Sequence, residues 1–314
     1  MLDNLKSIFI LKKIFVKIKM KRKLNIIKYN KRLKVKLSIN KDDFEIYIKL
    51  KEFNNKYKAN IPDIDIQELN LSWKYLADNV LKDLAEIKLN DLNILDLTRN
   101  EISHINIFEN LDFKELKILN LSRNEISDIN ILEKVNFKEL KELYLNGNYI
   151  ADISILEKVN FEKLKILNLT NNYISDINIL EKVNFKELKE LYLNNNKIFD
   201  IRILAKVNFE KLKILFLNSN SISNINILEK VNFKELKVLN LSYNKLSNIN
   251  ILEKVNFNEL IELFLTGNEI TDISILQKVD LKELKGVNLL NNKINKEENY
   301  SIIKSLKSKM NIII

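Results

Sequence analysis

From Leu92 to Asn292 the chain repeats itself with a period of twenty-four residues. The unit Leu-x-x-Leu-x-Leu-x-x-Asn begins at Leu92, Leu116, Leu140, Leu164, Leu188, Leu212, Leu236, Leu260 and Leu284, with Val287 as the second apolar residue of the last. A worn copy stands at Ile66, Leu69 and Leu71. A fixed period in the twenties makes each unit one supersecondary element that buries its apolar face only by stacking on its neighbours. The chain is therefore a solenoid. Within each unit the two-residue alternation of x-x-Leu-x-Leu-x-x predicts a short parallel strand, with leucines inward and the third, fifth and seventh positions outward.

Asparagine recurs at the ninth position (Asn100, Asn124, Asn148, Asn172, Asn196, Asn220, Asn244, Asn268, Asn292). A turn leaving a buried strand strands backbone N–H and C=O groups, and one short amide side chain satisfies both kinds. The return segment supplies Ile126, Ile129, Leu132, Val135 and Phe137, with equivalents in most units. One or two helical turns are expected there, started by Asn130 as N-cap. Phe113, Phe137, Phe161, Phe185, Phe209, Phe233 and Phe257 fall in one register, ending at Leu281. Identical register at every unit predicts an internal phenylalanine spine rather than base-stacking platforms, which makes nucleic acid an unfavoured partner.

The unit resembles those of the leucine-rich-repeat family, in its short intracellular or internalin-like form of twenty-four residues. The resemblance implies an α/β solenoid. Its shape is a horseshoe or arc with a parallel sheet on the concave face, short helical or 3-10 return segments on the convex side, and a small helical N-terminal module. It also implies that the concave face holds a protein partner. The absence of cysteine excludes thiol catalysis, cysteine-ligated zinc and the disulfide caps of many secreted relatives.

Charge divides the chain unevenly. Residues 1–60 hold 18 Lys/Arg against 5 Asp/Glu, and the remainder 34 against 37, so the net charge of +10 belongs to one end. An anionic partner is expected to meet that end, which leaves the repeats to bind by shape and local chemistry. Ile8, Leu11, Ile14, Phe15 and Ile18 fall at helical spacing opposite Lys6, Lys13 and Lys17, as in an amphipathic helix. Lysines also break Met1–Met20 where an export signal needs an unbroken apolar core, and no apolar run reaches about 18 residues, so a cytoplasmic location without a membrane span is expected.

Ile10–Phe15 followed by Lys23–Leu33 resembles the F-box pattern, although the Leu-Pro opening is missing and Lys21, Arg22 and Lys23 replace an acidic turn. That resemblance implies docking on the adaptor of a cullin-type ubiquitin ligase, with Leu11, Ile14, Phe15 and Ile18 as the contact. The same residues suit a peripheral membrane contact or a structural cap. Beyond them, the alternating stretches Leu33–Ile39 and Phe44–Leu50 fit strand or irregular helix.

Pro62 and a change from basic to acidic composition mark a boundary. The expected organisation is a basic module at 1–60, a linker and irregular first repeat at 61–91, nine repeats at 92–295 and a closing helix at 296–314. Trp73 and Tyr75 are expected to cover the open end of the core, because terminal repeats must stop further stacking. At the other end, Asn295 and Glu298 resemble a capping box. Tyr300, Ile303, Leu306 and Met310 then form an apolar helix face onto which Ile312, Ile313 and Ile314 tuck.

No catalytic constellation is legible, and neither a cofactor, a metal site nor a small-molecule substrate is expected. His104 is the sole histidine and sits at a turn. The variation that could carry function lies on the outward strand positions. Glu with an aromatic residue occurs at Glu142/Tyr144, Glu190/Tyr192 and Glu262/Phe264, and the intervening units place Asn120, Asn168, Phe216 and Asn240 at the fifth position. Strands about 4.8 Å apart make nine units a ribbon roughly 38 Å long. The candidate protein-binding residues are Glu142, Tyr144, Asn168, Glu190, Tyr192, Phe216, Asn240, Glu262 and Phe264, since aromatic side chains on a rigid polar surface serve as interface anchors. The expected function is a non-enzymatic scaffold; the alternatives are a ubiquitin-ligase substrate adaptor, a regulatory subunit of an enzyme such as a phosphatase, and a membrane-tethered scaffold.

Overall fold

The computed structural model describes residues 41–279 and 281–314, with isolated positions 22 and 35. The F-box-like stretch and the contact candidates Leu11, Ile14, Phe15 and Ile18 lie outside the described residues. Among those described, eleven three-residue strands lie side by side in chain order as one parallel sheet. They are β1 (Glu68–Asn70), β2 (Ile94–Asp96), β3 (Ile118–Asn120), β4 (Glu142–Tyr144), β5 (Ile166–Asn168), β6 (Glu190–Tyr192), β7 (Ile214–Phe216), β8 (Val238–Asn240), β9 (Glu262–Phe264), β10 (Gly286–Asn288) and β11 (Asn311–Ile313). Each connection from β2 to β10 returns through a 3-10 turn such as Asn130–Glu133 or Asn178–Glu181. The result is an unclosed arc, lined on its concave face by the sheet.

Register follows the period: Leu119 pairs with Leu143 and Leu143 with Leu167. One continuous core runs from Leu50 to Ile312. The phenylalanine spine is internal throughout, from Phe113 to Phe257. Phe108 extends it by packing edge-on against Phe137, with ring centroids 6.1 Å apart.

The ninth-position asparagines form the expected ladder. Asn172 Nδ2 donates to the carbonyls of Leu145 and Leu169, each at 3.0 Å, and its Oδ1 accepts the N–H of Ile150 at 3.0 Å. The same three bonds recur at Asn124, Asn148 and Asn244. Each amide thus ties its own turn to the unit before it. One residue earlier the backbone is left-handed, with φ of 55–57° at Arg99, Arg123, Asn171, Asn195, Ser219 and Asn291. Asparagine tolerates that region and glycine fits it freely. Gly267, at φ 67°, is required for a second reason: a Cβ there would lie 2.5 Å from the Tyr243 ring.

Four local expectations are corrected. The 3-10 turns are started not by Asn130 but by Asp128, whose Oδ1 accepts the Asn130 N–H at 2.8 Å. Asp152, Asp176, Asp200 and Asp272 do the same in their turns. Asn130 is itself the first turn residue, one position too late to cap it. Secondly, Trp73 and Tyr75 do not cover the core, being 59% and 76% exposed. Trp73 stands at the left-handed eighth position of the worn unit (φ 59°), where side chains leave the sheet. Helices α1 (Lys41–Tyr57) and α2 (Asn79–Ile87) close that end instead, burying Leu50, Phe53, Val80, Leu81, Leu84 and Ile87. Lys56 Nζ and Tyr57 Oη, both 2.7 Å from Asp83 Oδ2, join the two helices. The apolar alternation from Phe44 is thereby helical.

Thirdly, Asn295 Oδ1 accepts the N–H groups of Glu297 and Glu298 and so caps a turn ahead of α3 (Tyr300–Lys307), not the helix itself. Tyr300 consequently points to solvent and Leu306 is the buried residue of α3. Finally, the last isoleucines do not simply rest on α3. Residues 311–313 form β11 and pair with β10, and Ile312 is buried beside Val287. This closing strand satisfies the edge of β10, whose Leu289 N–H reaches the Ile313 carbonyl at 2.7 Å. No helix of the described residues is long and apolar enough to cross a membrane.

Candidate functional site

The sheet register arranges the outward residues into two rows along the concave face. Glu142, Ile166, Glu190, Ile214, Val238 and Glu262 succeed one another in the first; Tyr144, Asn168, Tyr192, Phe216, Asn240 and Phe264 make the second. All nine candidate residues therefore lie on one continuous surface. Except for Glu262, which is exposed, they are half-buried by their neighbours across the strands.

Glutamate and tyrosine are coupled rather than independent. Two residues apart on one strand, they share a face. Tyr144 Oη donates to Glu142 Oε2 at 2.8 Å, and Tyr192 Oη to Glu190 Oε2 at 2.7 Å. Partial burial, followed by the adjacent carboxylate, holds both phenols protonated well above the usual tyrosine range. The hydroxyls are thus occupied within the strand. Phe216 packs its ring against Tyr192 in an edge contact, centroids 5.3 Å apart at 76°. Asn168 and Asn240 use Oδ1 to accept the N–H of Thr170 and Ser242, both at 3.0 Å.

A second set of aromatic side chains lies along the edge where the turns leave the sheet, and strand alternation does not reveal it. Tyr149 and Tyr173 stack with centroids 6.1 Å apart and planes 14° from parallel. Lys197 Nζ lies 4.7 Å from the centre of the Tyr173 ring. Tyr149, Tyr173, Phe199 and Tyr243 are each about half exposed or more, unlike the concave aromatics. At the N-terminal end of the same edge the Arg99 guanidinium lies 3.6 Å from the Trp73 ring centre. The signal was in the columns. The tenth position reads Glu101, Glu125, Tyr149, Tyr173, Lys197, Ser221, and nothing in the solenoid requires tyrosine there.

His104 is an exposed turn residue whose Nδ1 lies 2.8 Å from Asp78 Oδ2. Although partial burial opposes it, hydrogen bonds from His104 and Ser103 keep the Asp78 carboxyl below its ordinary range. The pair ties α2 to the first regular turn. Among the described residues no three His, Cys, Asp or Glu side chains are grouped to hold a metal ion.

Residues 114–158 match the family model for leucine-rich repeats in two copies. The chain carries leucine-rich repeats. Known structures extend the likeness of fold to most of the arc. A leucine-rich-repeat protein of Leptospira interrogans is 24% identical over 79% of this chain and 72% of its own, with a TM-score of 0.56. The functional domain of InlJ from Listeria monocytogenes is 16% identical over 77% of this chain and 57% of its own, with a TM-score of 0.54. The cysteine ladder of InlJ has no counterpart in a chain without cysteine. The plant peptide hormone receptor RGFR1, in complex with RGF2, is 22% identical over 73% of this chain and 36% of its own, with a TM-score of 0.55. A search of curated proteins finds no match to the sequence. The family match lies far from the F-box-like stretch and lends it no support. Leucine-rich repeats are typically protein-interaction modules.

Proposed function

We propose that this chain is a scaffold that holds a protein partner against the concave face of its leucine-rich repeats. The observation that carries the reading is the edge-packed pair Tyr192 and Phe216 near the middle of the face, flanked along the same row by Tyr144 and Phe264. Large rings on a rigid sheet lose little conformational freedom on binding, and a central aromatic cluster with a polar surround is the arrangement of an interface hot spot. The Glu142–Tyr144 and Glu190–Tyr192 hydrogen bonds hold the rings ready in one orientation. The plant receptor that shares the fold is in complex with RGF2, which supports a binding role.

Affinity purification of the full chain and of a Tyr192→Ala/Phe216→Ala variant, with partners identified by mass, tests the reading. Partners recovered with the parent chain and lost at least about tenfold with the variant are expected. An identical set on both would sink it. The excess of 18 Lys/Arg over 5 Asp/Glu in residues 1–60 supports a second contact through that segment, to a ligase adaptor or an anionic membrane surface. Its test is whether a set of partners, or binding to anionic vesicles, disappears when the chain begins at residue 41, which keeps the capping helix α1.

A further inference from the structure

The near-identity of the repeats makes the chain its own control. Two grooves on the turn side of the arc are built from the same positions, displaced by two repeats. The first, of about 450 Å³, is lined by Ala151, Asp152, Ser154, Asp176, Ile179, Glu181 and Lys182 among others. In the second, of about 500 Å³, the corresponding positions are Phe199, Asp200, Arg202, Asn224, Ile227, Glu229 and Lys230. Three lining residues differ in kind: Ala151 becomes Phe199, Ser154 becomes Arg202 and Asp176 becomes Asn224.

A fourth difference lies just behind the lining. Over four successive repeats on this side a lysine pairs with a glutamate of the preceding repeat: Lys134 with Glu109, Lys158 with Glu133, Lys182 with Glu157 and Lys206 with Glu181, at 3.2–3.5 Å. The ladder ends there: Ala205 stands where the next glutamate is due, and in the following repeats Lys254 and Lys278 also lack a carboxylate partner among the described residues, although Glu229 and Glu253 are in place. Lys230 has no carboxylate partner among the described residues, and no glutamate at the ladder position that could supply one. Arg202 meanwhile neutralises Asp200 through a bidentate contact, with Nη2 2.6 Å from Oδ2 and Nε 3.0 Å from Oδ1. Asp152 in the first groove has no such cation; its Oδ1 accepts the Ser154 N–H.

All the charge changes run one way. Serine to arginine, aspartate to asparagine and glutamate to alanine each make the second groove more positive by one unit than the first. Phe199, 64% exposed, adds the apolar surface. A solenoid has no structural need for a solvent-facing phenylalanine at a position that elsewhere holds Ser127, Ala151, Ser175 or Ser223, and its exposure costs the folded state apolar hydration.

We propose that the groove between Phe199 and Lys230 is a docking site for an acidic peptide segment of a partner protein, one that sets an apolar side chain against Phe199 and Ile227 and a carboxylate against Lys230. Charge complementarity selects this occupant. The first groove carries three carboxylates against one lysine, whereas this one carries two of each sign with Arg202 engaged by Asp200, and the Lys230 ammonium beside the apolar Phe199 and Ile227 suits an isolated carboxylate next to an apolar residue. A nucleic-acid strand needs a row of cations for successive phosphates, and here Arg202 is engaged by Asp200 and Glu229 remains on the wall. The site lies on the turn side and is separate from the concave face.

Fluorescence anisotropy on the full chain tests it with three labelled probes: a short peptide of alternating glutamate and leucine, its lysine–leucine counterpart, and an oligothymidine. The glutamate peptide alone is expected to bind. Phe199→Ala should weaken it about tenfold, as loss of an aromatic anchor does. Ala205→Glu, which returns a carboxylate to the ladder position facing Lys230 and makes the site more negative by one unit, should weaken it several-fold. Both residues face solvent or the surface ladder, so melting curves are expected to match the parent. The converse graft, A151F/S154R/E157A/D176N, should build a second site and double the stoichiometry. Tyr192→Ala/Phe216→Ala should leave the peptide affinity unchanged, which separates this site from the concave one. Failure of the glutamate peptide to bind, equal binding of the lysine peptide, Phe199-dependent binding of the oligothymidine, or indifference to Phe199→Ala and Ala205→Glu would each overturn the proposal.

Discussion

Replacing Asn172 with alanine removes three hydrogen bonds of 3.0 Å and a longer one of 3.3 Å to the Thr170 carbonyl, but their loss is not felt equally at the other ends. The carbonyls of Leu145 and Leu169 keep a second amide partner each, from Asn148 Nδ2 at 2.9 Å and Asn196 Nδ2 at 3.0 Å. The N–H of Ile150 keeps none, and Ile150 is fully buried. Two shared bonds at about 1 kcal/mol each and one orphaned buried donor at about 1–3 kcal/mol give a loss of about 3–5 kcal/mol. Asn172→Asp restores the acceptor for Ile150 but sets a carboxylate against two carbonyls, so it is expected to be at least as damaging. Urea unfolding followed by circular dichroism measures the total. In an array whose stability is a sum over neighbouring units, the transition is also expected to broaden or split at this repeat. Native-state hydrogen exchange locates the effect: Ile150 should exchange much faster, whereas Ile126, held by Asn148 Oδ1 at 3.0 Å, should change far less. An unchanged midpoint, with Ile150 still as protected as Ile126, would refute the ladder as a source of stability.

Phe185→Ala, which empties a ring position only 1% exposed in the middle of the spine, should cost about 3–5 kcal/mol by the same unfolding measurement; a cost below about 1 kcal/mol would mean that the spine collapses around the gap. Tyr144 and Tyr192 should resist ionisation when the chain is titrated spectrophotometrically at alkaline pH. Because their folded-state pKa values are raised, the folded chain holds protons that the unfolded chain releases near pH 10, and stability falls as pH rises beyond that point. Glu142→Gln and Glu190→Gln leave the burial in place and remove the carboxylate, so each should bring its tyrosine part of the way back to ordinary titration. Two tyrosines titrating normally in the parent chain would contradict the paired geometry.

What was legible in the sequence was whatever the period enforces. Leu119, Asn124 and Phe137 could be placed from spacing alone because each must meet its own counterpart one unit away, and any other placement strands a buried group. The ends escape that logic. Trp73 is apolar and stands near the open end of the core, yet the left-handed turn at its position turns it outward, and the covering was left to α1 and α2, whose sequences share nothing with the repeat. Ile312 could be recognised as buried but not as a strand, since pairing to β10 is decided by the exposed sheet edge rather than by local pattern.

The candidate surfaces divide along the same line. Tyr144, Tyr192 and Phe216 were found because strand alternation assigns a direction to every residue. Tyr149, Tyr173 and Phe199 were missed because a turn has no such alternation. In a duplicated array the informative comparison is therefore down the columns. A residue that recurs in register, such as Phe185, is accounted for by stacking, whereas one that departs from its column must be accounted for by something outside the solenoid. Phe199, Arg202 and Ala205 depart together within one repeat, and Asn224 follows on the facing turn. Chance drift must then have produced four changes that converge on one groove, three of which alter its charge in a single direction. Drift has no reason to favour one sign, and this groove is where selection for a partner and neutral divergence make different predictions.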